Sequence, residues 1–229
     1  MCIRDRDNTA AAAAGDYVML CVKPQVMPAV ARELAPILKS ARQAGRRQVI
    51  VTIAAGITME SLARMLDAEG EALPVIRLLP NTPAAVGEGL TLLSCRNVSQ
   101  EETDEFCAML AASGSIVPIE EHFIDAAGVL NGCAPAFVYL FIEAMADGGV
   151  AAGLPRAQAQ QFAAQAVKGA AAMVLQTGKH PGQLKDEVCS PGGSTIVGVE
   201  TLEKSAFRSA AMEAVLAACA KMSDLGRQK

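Results

Sequence analysis

Gln48-Val49-Ile50-Val51-Thr52-Ile53, halted by Ala54-Ala55-Gly56, is an apolar run of strand length with the continuous hydrophobicity of a strand buried on both faces. Two runs of the same kind flank it. Residues 16–22 are closed by Lys23-Pro24, and residues 74–79 by Pro80-Asn81-Thr82-Pro83. Between the first two strands, residues 26–38 carry a helical pattern. Between the second and third, Thr58 caps a helix to about Asp67, with Leu62, Met65 and Leu66 at helical spacing. Strand–helix–strand–helix–strand with strands of this type predicts an α/β fold with a parallel, doubly wound sheet. Residues 90–94 and 115–119 read as two further strands around a helix over 100–112.

Beyond Asp125 the pattern turns to helices alone. Helices are expected over 134–152, with Pro135 in the first turn where its missing amide costs little, then over 156–177, 194–203 and 206–225. The chain is therefore divided into residues 1–125, a partial dinucleotide-binding domain, and 126–229, an all-helical one. In the helix over 156–177, Phe162, Ala166, Ala170 and Met173 form an apolar stripe between polar residues and are read as core. With so little bulk on these helices, some faces are expected to bury against a second subunit.

Composition narrows the function. Of 229 residues 52% are hydrophobic, yet there are six Phe, two Tyr and no Trp, so the core is built from aliphatic side chains. A net charge of −4 offers no basic surface and argues against nucleic acid. The longest apolar run, residues 133–142, is too short to span a bilayer, and no leader pattern is evident, so the expected location is the cytoplasm. Seven scattered cysteines and two histidines fit neither a disulfide framework nor structural zinc, and no metal is expected. Cys189 lies nine positions from His180 with no evident orienting acid, so it is not read as a nucleophile.

Cys189-Ser190-Pro191-Gly192-Gly193-Ser194-Thr195 carries the strongest chemical signal. Adjacent glycines let the backbone approach a ligand closely. Ser190 as an N-cap and Pro191 in a first helical turn would leave amides near 193–195 pointing outward, a site for a small anion. Thr195 sets a hydroxyl, donor and acceptor, beside that site. Such a loop suits a small carboxylate with a neighbouring nitrogen; without further context it is equally an ordinary helix start.

The context is the run from His180 to Val188, the loop 189–195, and Val199-Glu200-Thr201-Leu202-Glu203. In the same order come Cys21 to Pro24, Ala54-Ala55-Gly56, Pro80-Asn81-Thr82-Pro83, and Ala146-Asp147-Gly148-Gly149-Val150 with Gly153-Leu154-Pro155-Arg156. Together these stretches resemble the pyrroline-5-carboxylate reductase family from about residue 8 onward. The resemblance implies a Rossmann-type domain followed by a helical dimerisation and substrate-binding domain. It implies reduction of 1-pyrroline-5-carboxylate to L-proline with NADPH or NADH, in a homodimer or a larger assembly of dimers. It places Asn8, Val22, Lys23, Pro24, Ala54, Ala55 and Gly56 at the cofactor. Glu121, Ser190, Gly193, Ser194 and Thr195 are placed at the substrate, with Thr195 the catalytic partner of the ring nitrogen and the amides of Gly193, Ser194 and Thr195 holding the carboxylate. The chain departs from the family at Asn131-Gly132-Cys133-Ala134-Pro135-Ala136-Phe137, where many members carry Ser-Gly-Ser-x-Pro-Ala-Tyr, and at Glu187.

A dinucleotide-binding fold opens with a strand and Gly-x-Gly-x-x-Gly, and no such sequence occurs here. The three strands in 16–79 correspond to the second half of a sheet ordered 3-2-1-4-5-6. The first half is read as missing, residues 1–6 as foreign sequence, the strand at 16–22 as an apolar edge, and the cofactor preference as unreadable. Two rival readings are a β-hydroxyacid-type dehydrogenase and a non-catalytic helical dimerisation remnant. The first requires a lysine on the helix over 134–152, which has none.

Overall fold

The computed structural model describes residues 7–227, so the reading of residues 1–6 lies outside the described residues. The chain forms two compact units, one reaching to Cys133 and including the end of the last helix from Ala218, the other Ala134–Ala217.

In the first unit, α1 (Asn8–Ala14) leads into β1 (Tyr17–Leu20), α2 (Met27–Gln43), β2 (Val49–Thr52), α3 (Met59–Met65) and β3 (Val75–Leu79). Helix α1 was not anticipated, since a short alanine run has no apolar period. It forms because both ends are satisfied. Asp7 accepts the amides of Thr9 and Ala10, while Arg46 and Gln48 donate to the carbonyls of residues 12–15 at the other end. Strands β1, β2 and β3 pair in parallel and in that order, with every residue of β2 buried.

The next strand adds an antiparallel neighbour to this parallel set. β4 (Gly89–Arg96) runs antiparallel to β3, and β5 (Gly114–Pro118), reached through α4 (Gln100–Leu110), is parallel to β4. The reason is length. Only residues 80–88, with a 3₁₀ turn at Thr82–Val86, join β3 to β4, too few for the helical crossover a parallel neighbour needs. The sheet is thus mixed, in the order β1-β2-β3-β4-β5 with β1 at an edge. Helices α1 to α3 cover one face through Ala12, Leu34, Leu38, Leu62 and Leu66, and α4 covers the other through Phe106. After β5 come a 3₁₀ turn, α5 (Ile124–Gly128) and a π-helical turn at Val129–Cys133.

The second unit begins with α6 (Ala134–Ala151) and α7 (Arg156–Thr177), packed through Ala146, Ala159 and Ala163. Gly149 permits their closeness, since a Cβ there would stand 3.2 Å from the Cβ of Ala159. Then follow α8 (Pro181–Glu187), α9 (Ser194–Lys204) and α10 (Phe207–Arg227). The stripe read as core on α7 is exposed in the single chain, Phe162 by 56%, because α6 meets the Ala159–Ala163 face instead. The continuous helical stretch Glu121–Ala151 is also long and apolar enough to cross a membrane by length and composition, which the run 133–142 alone is not.

An ion pair locks α4 to the start of β2. Arg47 grips both carboxylate oxygens of Glu102, the second at 2.8 Å, and Glu102 completes a capping box with Ser99. Hydrogen bonding from Arg47 is the main force holding the Glu102 carboxyl at about 2, below its ordinary 4.5. A depressed carboxyl stabilises the fold above the unfolded-state value and loses that contribution as pH falls through the folded one. Arg47 is 54% exposed, so the pair is worth about 1 kcal/mol rather than the full shift. Arg47→Ala is expected to lower stability by that amount at pH 7, with the gap to wild type closing between about 4.5 and about 2. Urea midpoints measured across that range check it.

Candidate functional site

Parallel pairing brings the carboxyl ends of β1, β2 and β3 side by side, where ligands collect in such folds. After β1 the chain turns at once into α2. The carbonyls of Lys23 and Pro24 accept the amides of Val26 and Met27 at 2.9 and 3.2 Å, leaving the Lys23 side chain exposed. After β2, the Ala54 amide donates to Thr52 Oγ1 at 3.2 Å and the Ile57 amide to the Ala54 carbonyl at 3.4 Å. Ala54 and Ile57 are buried and Ala55 is exposed, while Gly56 takes a φ of +71°. The loop therefore presents backbone and little side chain to an incoming ring.

Asn8 sits at the start of α1, its Nδ2 donating to Glu33 at 3.0 Å. It shares a cleft of about 180 Å³ along β1 with Tyr17, Leu20, Cys21 and Val22. Asn8 and Val22 are thus brought together, whereas Lys23, Pro24 and residues 54–56 do not line that cleft. Neither the loop after β1, residues 21–26, nor the one after β2, residues 53–58, carries the Gly-x-Gly-x-x-Gly helix start that holds a pyrophosphate.

Asn81 and Asn131, each noted in the sequence for its own motif, meet at the end of β3. Asn81 Nδ2 donates to the Asn131 carbonyl at 3.2 Å and its Oδ1 accepts the Leu90 amide at 2.9 Å. Asn131 Nδ2 in turn donates to the Leu79 carbonyl at 2.6 Å. The departure from the family's serine at Asn131 thus places an amide where it can reach a strand end. The signal was only the identity of that residue, since its partners lie about fifty positions away.

Glu121 lies where its expected role as a substrate contact finds competition. Its Oε1 accepts the Met59 amide at 2.7 Å and faces Arg77 Nη1 at 3.3 Å; Arg77 Nη2 reaches Asp125 at 2.7 Å. It borders a cavity of about 650 Å³ along β4, β5 and α4. Cys95 and Cys107 line the same cavity, and burial is the first cause pushing both thiols up from their ordinary value.

The loop 190–195 belongs to the second unit. Ser190 is not the N-cap. Pro191 and Gly192, the latter at φ +70°, form the corner of a tight turn closed by the Gly193 amide donating to the Ser190 carbonyl at 3.0 Å. Gly193 is the N-cap of α9, with no side-chain cap bond. Its amide is therefore spent inside the turn, and Ser194 and Thr195 supply the first-turn N–H groups. Gly193 contributes room instead, because a Cβ there would collide with Ser190 Oγ. His180 caps α8 by accepting the Gly182 amide at 3.1 Å, a role unrelated to Cys189. Glu187 pairs with Lys179 at 2.8 Å, and hydrogen bonding from that lysine lowers its carboxyl below the ordinary value. Among the described residues no group of three or more potential ligands could hold a metal ion.

Comparison with known proteins agrees with these motifs. Residues 121–225 match the family described as pyrroline-5-carboxylate reductase dimerisation. A pyrroline-5-carboxylate reductase of Glycine max is 46% identical over 211 residues, covering 92% of this chain and 73% of the relative. One of Escherichia coli (strain K12) is 43% identical over 213 residues, covering 93% and 76%. The crystal structure of Plasmodium falciparum pyrroline carboxylate reductase with NADP bound superposes with a TM-score of 0.84 at 34% identity, covering 97% of this chain and 81% of that one.

The left-handed positions at Gly56 and Gly192 should not tolerate a Cβ. Gly56→Ala and Gly192→Ala are each expected to cost about 1 to 2 kcal/mol, read as a lower midpoint in chemical denaturation.

Proposed function

Because the chain belongs to the pyrroline-5-carboxylate reductase family, we infer from its residues how it carries out that family's reaction. The reaction is reduction of 1-pyrroline-5-carboxylate to L-proline, the last step of proline biosynthesis. A nicotinamide dinucleotide, when bound, supplies the hydride to the carbon of the ring C=N bond.

We assign dinucleotide binding to the first unit, with the nicotinamide end against Val22, Lys23, Pro24 and the loop Ala54-Ala55-Gly56, and Asn8 toward the adenosine side. The substrate falls to the loop opening α9. The observation that carries this reading is the uncapped start of that helix, where the amides of Ser194 and Thr195 have no capping side chain. Amides there, aided by the helix dipole, take the carboxylate of the imino acid without a basic side chain. Ser190 and Gly193 shape the turn beneath it. Thr195 sits at the second position of α9, its hydroxyl set to hydrogen-bond the ring nitrogen, which must end up protonated as the hydride reaches the adjacent carbon.

The protein self-associates, and the helical unit accounts for it. Leu175 is 84% and Leu216 67% exposed in the single chain, and Tyr139, Leu140 and Val197 join them. A soluble chain does not leave so much apolar surface to water. We assign that surface, including the apolar stretch Glu121–Ala151, to a second copy rather than to lipid, because the dimerisation match covers residues 121–225. We place the enzyme in the cytoplasm, as its composition suggests.

Thr195→Ala is expected to slow turnover of 1-pyrroline-5-carboxylate by roughly 30- to 1000-fold, the cost of a lost hydrogen bond to developing charge, with little effect on dinucleotide affinity. Steady-state kinetics against both ligands test it, and unchanged turnover removes Thr195 from the mechanism. Light scattering of the chain in solution is expected to give the mass of a dimer or a multiple of it, and a stable monomer would contradict the assignment of the helical faces.

A further inference from the structure

We propose that Glu121 is a positioning residue for the loop after β2, acting through the backbone amide of Met59, and not a substrate ligand. The proposal rests on the reading that Ala54-Ala55-Gly56 faces the nicotinamide.

The loop is fixed at both ends but not along its length. Ala54 and Ile57 are buried at its base, while Ala55 is exposed and Gly56 occupies the left-handed region. Its forward end is set by where α3 begins. Thr58, the N-cap, satisfies only the Ser61 amide, at 3.0 Å. The amide of Met59, first residue of the helix, has no intrahelical acceptor, and Met59 is itself buried. Glu121 Oε1 takes that amide at 2.7 Å, from 62 positions along the chain. On the opposite side of the same residue, Arg96 Nη2 donates to the Met59 carbonyl at 2.8 Å. Met59 is therefore gripped through both backbone groups, three residues after Gly56.

Glu121 is itself held. Its side chain is 26% exposed and stands beside Arg77, 3% exposed, whose other arm is tied to Asp125. An anchored cation beside a carboxylate restricts where the carboxylate can sit. The order of restraint runs from Arg77 to Glu121, from Glu121 to Met59, and from Met59 to the loop. With Oε1 engaged by the Met59 amide and Arg77, the Glu121 carboxylate is committed to the scaffold.

The test compares Glu121→Ala and Glu121→Gln with wild type in the full chain, by amide hydrogen exchange and by kinetics. In Glu121→Ala, exchange at residues 54–59 is expected to accelerate by about tenfold or more while β4 and β5 keep their protection. The KM for the dinucleotide is expected to rise about tenfold, with the KM for 1-pyrroline-5-carboxylate within about twofold of wild type. Glu121→Gln keeps an oxygen for the Met59 amide and should restore most of both. The proposal is overturned by a rise in the imino-acid KM with the dinucleotide KM unchanged, which marks a substrate contact. It is equally overturned by faster exchange throughout the sheet, which marks general destabilisation, or by a glutamine variant as defective as the alanine one. Should the wild-type chain reduce no 1-pyrroline-5-carboxylate, the proposed function fails, and the exchange pattern alone still decides the role of Glu121.

Discussion

Arg77, itself 2% exposed, places a permanent positive charge in the middle of β3, between β2 and β4. A guanidinium removed from water costs several kcal/mol unless it is paired, and breaking such a pair by removing one partner costs more than the pair ever contributes. The chain meets this demand with Glu121 and Asp125, both from the segment just after β5. That segment is thereby drawn back across β3, and the 3₁₀ turn at Glu121–Phe123 and α5 lie where the two carboxylates can reach. The path continues into the π-helical turn, where Asn131 and Asn81 cross-bond to the carbonyl and loop at the end of β3. The end of β3 is thus tied down from the outside, by residues far away in sequence. A buried charge in this position acts less as a source of stability than as a device that admits one arrangement of the following chain.

The helical unit works by the opposite means. Its fully buried core is Ala146, Ala159 and Ala163, with Ile142 and Val150 packed against them, while many of the larger side chains, Leu140, Leu175 and Leu216 among them, are exposed. At about 25 cal/mol per Å² of apolar surface removed from water, a core of alanines gives only a fraction of what leucines and phenylalanines would. Small residues let α6 and α7 approach closely, and close approach frees the bulky side chains for another surface. On the assignment of those faces to a second copy, much of the unit's hydrophobic stabilisation becomes available only when chains associate.

Much of the fold could be read from local pattern. The three parallel strands, the cap at Thr58 and the span of α7 over residues 156–177 follow from apolar runs, a hydroxyl at the right offset, and helical spacing bounded by proline and glycine. Strand β1, however, at the sheet edge, buries Val18 and Leu20 and leaves Met19 exposed instead of being covered on both faces. What could not be read depended on partners elsewhere. Helix α1 exists because Arg46 and Gln48 close its end, and β4 is antiparallel because its connection is short. The apolar stripe on α7 was legible as apolar, but the pattern carries no information about which surface covers it. The same division holds at the site. The loop 190–195 is a contiguous motif, so its residues could be named, although the N-cap moved from Ser190 to Gly193 because Pro191-Gly192 prefers the corner of a turn. Glu121 and Asn131 act across 62 and 52 positions, and no local signal marks either.

The loop assigned to the substrate handles charge sparingly, and the chemistry gives a reason. On the reading above, the substrate brings a carboxylate and an imine that gains positive charge when its nitrogen is protonated. A lysine or arginine at the carboxylate would bind it strongly but would repel the developing iminium, which lies only a ring bond or two away. Backbone amides at the uncapped start of α9 carry partial positive charge that is directed along their N–H bonds and fades within a turn. They favour the carboxylate while imposing far less on the nitrogen. A hydroxyl at Thr195 suits the same compromise, because it can accept from a protonated nitrogen and donate to a neutral one without carrying charge. No basic residue lies between Val188 and Thr201, so the loop achieves anion recognition with none. Arg77 and Arg47 use charge to fix the scaffold, whereas residues 188–199, which include the loop assigned to the imino acid, carry none.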